Sequence, residues 1–569
     1  MYRQVYLALP RRLMANFGKK RFITTSSIKM LIRSEYPPVP VATEPFHETL
    51  RNAFRKHMDS ENETAFVCAE TNTEVSFKTI HDLSYAVASF LHKNNFRKDV
   101  ACMVMPNHWV WAPFFLGVAM NGGTLSGINI ASSEDEIRRQ FLDSHAKVVL
   151  TNKETLPKVL KVSLDSPYIE HVICVQDEPG KLPSGVHCWK RDVLSTSTET
   201  IPNVDIDVEK DAVFMPYSSG TTGIPKGVMI SHQNFGTMMN IFRQHDDLHM
   251  AGAVSFNPIK EKSLMLLPFY HCYGFALVMS NLLRGNAAVV MEHFQPELFC
   301  ESIQRHRIRF IAVAPPVLVF LTKSPICKKY DLSSLEFVMC GAAPVGRDLC
   351  EDFLQMYKHV KYMQQGYGMS EATMATHLPD AHLGQPFGSV GKIVSNLEMK
   401  IVDPETGNER STGEIGEICV RGPTVMLGYF QNVEATENCI KDGWLHTGDL
   451  GYVDDDNYLF IVDRLKELIK VKGFQVPPAE LEGILLSHPE IRDAAVIAVP
   501  HAEKGEVPRA YVVSSSNSLR EDDVKNFVSD KVSAYKRLDG GVEFVDSIPK
   551  SPAGKILRRI LRDRHRSKL

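Results

Sequence analysis

The sequence predicts an α/β protein in two parts: a large N-terminal domain of mostly parallel sheets packed with helices, and a small α+β C-terminal domain. Three observations predict it. The length of 569 residues exceeds what one hydrophobic core supports, a limit reached near ~250 to 300 residues. From Pro45 onward, short apolar runs alternate with helical periodicity, the pattern of parallel sheets covered by helices. After Asp463 the texture changes to a compact run of small elements about a hundred residues long, enough for a separate domain.

Taken in order, the first 34 residues carry Arg3, Arg11, Arg12, Lys19, Lys20, Arg21, Lys29 and Arg33 with no acidic residue, and hydroxyls at Thr24, Thr25, Ser26 and Ser27. That composition matches a mitochondrial presequence, one that initiation at Met14 or Met30 would shorten or remove. Phe46, Leu50 and Phe54 recur every four residues as one helix face. Residues 100–133 contain no Asp, Glu, Lys or Arg and are long enough to cross a bilayer. Pro106, Pro113 and the Asn121-Gly122-Gly123 turn would break such a helix, so the segment reads as strand, helix, turn and strand buried in an α/β domain. Residues 148–150, 264–267, 287–291 and 310–314 are short buried-strand candidates.

In the C-terminal part, Pro477-Pro478 open a helix carrying Leu481, Ile484 and Leu485, and strands are expected over residues 494–499, 510–513 and 542–545. Ser518 with Glu521 reads as a capping box for a second helix with Val524, Phe527, Val528 and Val532 on one face. The expected organisation is residues 1–34 as a targeting extension, 35–465 as the large domain and 466–569 as the small one.

Composition excludes several classes. A hydrophobic share of 44% and charged share of 23% are those of a soluble globular protein. A net charge of -3 gives no basis for a nucleic-acid partner. The 11 cysteines form no Cys-x-x-Cys pair and have no histidines at zinc spacing, which points to a reducing compartment rather than a disulfide frame or metal site.

The chemistry is concentrated in one stretch, Tyr-Ser-Ser-Gly-Thr-Thr-Gly-Ile-Pro-Lys over residues 217–226. Ser218, Ser219, Gly220, Thr221, Thr222 and Gly223, followed by Lys226, let backbone and hydroxyl donors crowd around a polyanion while the lysine neutralises charge. It is not a Walker loop, because Pro225 precedes Lys226 and Gly227 follows it. Further segments follow: Met-Cys-Gly-Ala-Ala-Pro at 339–344, Gln-Gly-Tyr-Gly-Met-Ser-Glu at 365–371, Gly-Trp-Leu-His-Thr-Gly-Asp at 443–449, the charge-rich run 462–473, and Pro-Lys-Ser-Pro-Ala-Gly-Lys at 549–555. Gly341, Ala342 and Ala343 are small enough for a flat ring to lie against backbone. Tyr367 can stack on a flat ring, Ser370 offers a hydroxyl, Glu371 is a hard oxygen ligand suited to Mg²⁺, and the Asp449 carboxylate can accept two hydroxyl bonds.

In this order, from about residue 45 onward, the segments resemble those of the adenylate-forming enzymes: acyl- and aryl-CoA ligases, beetle luciferases and peptide-synthetase adenylation domains. The resemblance implies an adenylation domain and a mobile C-terminal lid. It implies that Gly341, Ala342, Ala343, Gln365, Gly366 and Tyr367 wall the adenine and acyl pockets, that Asp449 and Arg464 hold the ribose, and that Lys466 is the hinge. Lys470, Lys472 and Gly473 would lie near the pantetheine path of coenzyme A, and Lys555 would be the adenylation lysine. Residues 269–274 resemble the segment gating the acyl pocket, with His271 at the substrate carboxylate. The family more often has Thr at the position of Ser370.

The implied activity is that of a 4-coumarate-CoA ligase-like enzyme, which activates a carboxylic acid with ATP as acyl-AMP and transfers it to coenzyme A; the sequence leaves medium or long fatty acids, ring-bearing acids and side chains of larger metabolites open as the acid. A luciferase is disfavoured because Met238, Met239 and Met374 stand where luciferases carry an arginine and a small polar residue. A non-catalytic scaffold is disfavoured because Lys226, Glu371, Asp449, Arg464 and Lys555 are all present. The chain ends Ser567-Lys568-Leu569, the tripeptide read by the peroxisomal import receptor, so a peroxisome is expected, with the mitochondrion as the alternative.

Overall fold

The computed structural model describes residues 31–568 except 60–62, 177–180, 199–202, 219–224, 251–260, 382–383, 473, 517 and 552–553. The expected mostly parallel sheets are two in number and form the body of the large domain. In one, Val100–Val104 lies between Thr124–Gly127 and Ala146–Asn152, parallel to both. In the other, Lys262–Met265 lies parallel between Ala287–Val290 and Phe310–Val313, and Phe337–Cys340 and Tyr362–Gln365 extend it. Residues 100–133 fold as strand, helix and strand, and all ten residues of the helix Trp111–Met120 are buried. Among the described residues, no helix is long and apolar enough to cross a membrane.

The helix Cys272–Arg284 is positioned by both sheets. It leads out of the strand Lys262–Met265 and into Ala287–Val290, and its Phe275 ring stacks on Phe214 of the first sheet at 4.1 Å and 13°. Phe115 meets Phe275 edge-on at 5.0 Å. Each fully buried aromatic contributes about 1.5 to 3 kcal/mol of transfer free energy, so this helix has little freedom to shift.

A third sheet is antiparallel, a feature that the strand and helix alternation did not indicate. Its strands Glu398–Val402, Gly416–Arg421, Trp444–Val453 and Leu459–Arg464 lie side by side. The folded body also begins before residue 35. Ile32 and Arg33 pair with Met399 and Glu398, Ile32 is buried, and Arg33 Nε lies 2.8 Å from Glu398 Oε1. The basic residues before it, the candidate presequence, lie outside the described residues.

Between Arg464 and Ile469 the chain leaves this sheet and enters a five-stranded one built on the long hairpin Ile491–His501 and Gly505–Ser514. The helices Pro478–Leu486 and Glu521–Ser529 cover it with Leu481, Leu485, Val524 and Val528. The helix start was misread by two residues. Arg520 precedes the first turn and its N–H is accepted by Asp523 at 3.0 Å, whereas the Ser518 hydroxyl is engaged with Ser516. Inside the small domain Glu482 is buried, accepts the Val496 N–H at 2.8 Å and faces Arg558 Nη2 at 2.7 Å.

Candidate active site

The ends of parallel strands are where an open α/β sheet places its ligands, and two of the motifs fall there, after Phe337–Cys340 and Tyr362–Gln365, while the hydroxyl-rich stretch joins two antiparallel strands. The strand Tyr217–Ser218 pairs with Lys226–Ser231, setting Ser218 opposite Lys226 at the base of the hydroxyl-rich loop. Ser219, Gly220, Thr221, Thr222 and Gly223 lie outside the described residues. The Ser218 hydroxyl donates to Glu371 Oε1 at 2.8 Å, and Tyr429 donates to the same oxygen at 2.9 Å. Tyr429 arrives by sheet pairing, Val228 opposite Tyr429, and its ring lies 4.9 Å from Lys226 Nζ.

The strand Phe337–Cys340 runs into Gly341, whose position would place a Cβ 3.1 Å from the Tyr273 ring. Ala342 follows at a φ of +72°, a left-handed conformation that is costly for a residue with a Cβ. Next to it, Tyr362–Gln365 leads to Gly366, Tyr367, Gly368 and a short turn of helix, Ser370–Ala372. A Cβ on Gly368 would lie 1.7 Å from the Met374 carbonyl oxygen, so this crossing admits glycine alone. Thr373 and Met374 have φ of +53° and +89°, held by the Thr373 hydroxyl donating to the Thr424 carbonyl at 2.7 Å. Gln365 and Ala343 lie outside the cavity linings at this site; the Gln365 side chain accepts the Val345 N–H at 3.0 Å, which makes it a brace of the loop.

On the third sheet Asp449 and Arg464 are cross-strand partners. Arg464 Nε lies 3.2 Å from Asp449 Oδ1, and the Tyr367 hydroxyl donates to Oδ2 at 2.7 Å. Burial, reinforced by the Asp449 charge, holds the Tyr367 phenol protonated far above its ordinary range. Behind Asp449, Glu417 Oε1 accepts the Gly448 N–H at 3.1 Å and Oε2 lies 2.8 Å from His446 Nδ1. Cys419 Sγ is 3.4 Å from the same nitrogen. A linear search for ligand spacing misses this trio because the strands Gly416–Arg421 and Trp444–Val453 bring it together.

The small domain completes the site. Gly554, at φ +81°, sits so close to Pro316 Cδ that a Cβ there would be 2.9 Å from it, and Lys323 Nζ donates to the Leu486 and Ile491 carbonyls at 3.1 and 2.7 Å. These contacts bring Lys555 against the large domain. One cavity of about 870 Å³ is then lined by Ser218, Lys226, Ser370, Glu371, Arg464 and Lys555, together with Lys466. Burial first, then repulsion from Arg464, pushes Lys555 down to about 8, against the pull of Asp449, Glu467 and Glu371. Lys470 and Lys472 are exposed and outside this lining, and Gly473 lies outside the described residues.

His271 caps the helix Cys272–Arg284, its Nδ1 accepting the Tyr273 N–H at 3.1 Å. Burial and then the Lys555 charge push it down to about 4, so at neutral pH it is uncharged. With Nδ1 an acceptor, the proton sits on Nε2, and His271 borders the large cavity as a neutral donor. Met238 and Met239 are buried in the core instead of at the site, whereas Met374 lines the adjoining apolar cavity.

Comparison with known proteins follows the same division of the chain. A family model described as AMP-binding enzyme matches residues 54–430, and one described as AMP-binding enzyme C-terminal domain matches 480–555. The chain belongs to the AMP-binding enzyme family. It is 38% identical over 556 residues to 4-coumarate--CoA ligase 1 of Arabidopsis thaliana, covering 94% of this chain and 95% of that one. It is 36% identical over 554 residues to probable 4-coumarate--CoA ligase 1 of Dictyostelium discoideum, covering 94% and 98%. Its fold matches that of the anthranilate CoA ligase AuaEII in complex with anthranoyl-AMP, with a TM-score of 0.81 at 23% identity over 93% and 99% of the two chains. The protein is thus an adenylate-forming enzyme. Its motifs announced themselves in sequence, but Tyr429 and Glu417 carry no local signal; strand pairing alone brings Tyr429 to Glu371 and Glu417 to Gly448.

Proposed function

We propose that the protein is an ATP-dependent acyl- or aryl-CoA ligase. A carboxylate oxygen of the acid attacks the α-phosphorus of ATP, pyrophosphate leaves, and the thiolate of coenzyme A then displaces AMP from the acyl carbon. One observation carries this reading: Lys555 from the small domain meets Ser218, Lys226, Ser370 and Glu371 from the large one in a single cavity.

In this reading Lys226 and the hydroxyl-rich stretch that follows Ser218 in sequence hold the phosphates, Ser370 reaches the α-phosphate, and Lys555 stabilises the charge that spreads over it. Asp449 and Arg464 take the ribose, while Gly341, Ala342, Gly366 and Tyr367 border the adenine. Neutral His271 donates through Nε2 to the acid's carboxylate without adding charge. Glu371 is 4% exposed, and both of its hydroxyl donors fall on Oε1. That suits Mg²⁺, which takes one or two carboxylate oxygens and completes its shell with phosphate and water. When bound, the ion would supply neutralisation of the phosphate charge.

Lys466, at the change of sheet, is the turning point for the second step, in which Lys470, Lys472 and Gly473 would line the path of coenzyme A. The decisive experiment is exchange of labelled pyrophosphate into ATP, dependent on acid and Mg²⁺ and independent of coenzyme A. Appearance of ADP and phosphate instead would refute adenylation. We further propose peroxisomal import through Ser567-Lys568-Leu569, with any mitochondrial share depending on initiation at Met1. Ser567 and Lys568 are exposed, and Lys568 Nζ lies 2.6 Å from Glu543. Unchanged peroxisomal fluorescence of a tagged protein lacking the last three residues would reject it.

A further inference from the structure

The identity of the acid can be narrowed from the helix Cys272–Arg284, an inference that rests on the ligase reading above. The helix has 13 residues, so at about 1.5 Å per residue its two ends stand about 18 Å apart. At the first end, His271, Cys272 and Tyr273 line a cavity of about 60 Å³ next to Gly341 and Ser370. At the other, Leu277, Ser280, Asn281 and Arg284 line a second cavity of about 110 Å³. Met339, Met374 and Leu378 line both. They form a partition rather than a wall, because methionine side chains re-pack easily. At about 10 to 15 Å³ per water position, the first chamber holds roughly four to six and the second roughly seven to eleven. The space beyond the partition is therefore the larger.

The far chamber ends on two polar atoms. Arg284 Nε and Asn286 Oδ1 are both buried without a hydrogen bond among the described residues, and Asn286 is 2% exposed. One is a donor and the other an acceptor. The charge of Arg284 is already met, since Nη2 lies 2.7 Å from Asp246 and 3.9 Å from Asp247. The C-terminal end of the helix adds negative potential. A second carboxylate is thus unwelcome here, and a saturated tail would leave both orphans unmet. A hydroxyl accepts from one and donates to the other.

We propose that the substrate is an acid with an apolar body that passes between Met339, Met374 and Leu378 and carries a neutral hydroxyl at its far end, read by Arg284 and Asn286. The test is acid-dependent pyrophosphate exchange with dodecanoic, ω-hydroxydodecanoic and dodecanedioic acids. The wild-type protein is expected to prefer the hydroxy acid over the other two by about tenfold or more in kcat/KM, since a site built to bond a hydroxyl discriminates against its absence. Asn286→Leu should bring the ratio of hydroxy to plain acid to about one. Leu277→Trp, which fills the far chamber, should lower the ratio of dodecanoic to butanoic acid by about tenfold. Equal use of hydroxy and plain acid by the wild-type protein, or a ratio unmoved by Asn286→Leu in a variant of unchanged melting temperature, overturns the proposal and assigns the orphan groups to bound water. Absence of exchange with every acid would instead overturn the ligase reading itself.

Discussion

Arg464 and Asp449 face each other across neighbouring antiparallel strands with Nε 3.2 Å from Oδ1, and Arg464 is the last residue before the chain leaves the large domain's sheet. One ion pair therefore ties the nucleotide site to the root of the small domain. Asp449→Asn keeps the shape but removes the charge that Arg464 and the Tyr367 hydroxyl both meet. A hydrogen bond to a charged group is worth about 1.5 to 3 kcal/mol, so kcat/KM for ATP should fall about ten- to a hundredfold. Steady-state kinetics with ATP varied will show it; a fall in the coenzyme A parameters alone would contradict the ribose assignment.

Lys555 should give the first half-reaction a pH limit. Its value of about 8 lies below the ordinary 10.5, so the ammonium is present below that pH and lost above it. Pyrophosphate exchange in kcat/KM should therefore fall as pH rises through about 8 in the free enzyme. Lys555→Arg should move the fall to higher pH, because a guanidinium stays charged. Lys555→Ala should cost about 3 to 4 kcal/mol in adenylation, the scale of losing one preorganised donor. Thioester formation from supplied acyl-AMP should stay nearly unchanged, and equal losses in both steps would refute the assignment of Lys555 to the first step alone.

Lys466 tests the hinge. It is exposed between Arg464 and Ile469, while Lys470 and Lys472 lie away from the cavity that Lys555 enters, so both groups cannot serve one site without a turn. Lys466→Pro, by fixing φ, should leave acyl-AMP formation in place and slow its transfer to coenzyme A. Single-turnover measurement of each step checks this, and a normal transfer rate would rule the hinge out.

The small domain depends on the buried pair of Glu482 and Arg558, 2.7 Å apart. Removing one partner strands a buried charge, so Arg558→Met should destabilise the domain by about 3 to 5 kcal/mol, whereas Glu482→Gln with Arg558→Met should cost less. Thermal denaturation of both variants gives the comparison; a double variant less stable than the single one would count against it.

Much of the fold is legible in the sequence. The period of four at Phe46, Leu50 and Phe54, the buried runs of the parallel strands and the change of texture after Asp463 are local signals, set by side-chain periodicity, and each is a helix face, a strand or a change of sheet in the structure. The order of Ser218, Lys226, Ser370, Glu371, Asp449, Arg464 and Lys555 along the chain was likewise enough to name the family. The helix Glu521–Ser529 starts later than the pattern indicates because Glu521 and Asp523 both offer a carboxylate for the third helical position; Asp523 takes it by accepting the Arg520 N–H, while Glu521 accepts the Val542 N–H.

What only the tertiary structure decided lies between segments apart in the chain. Tyr429 donates to Glu371 because two strands pair, Glu417 holds Gly448 from a neighbouring strand, and the partition sets Met339 of the strand Phe337–Cys340 beside Met374 and Leu378, which follow the turn Ser370–Ala372. The physical reason is that a sequence specifies local conformation through nearest neighbours and periodicity, whereas hydrogen-bond geometry, a shared cavity and the pull on Lys555 arise from distance in space. The residues were written in the chain; the fold determined which of them meet.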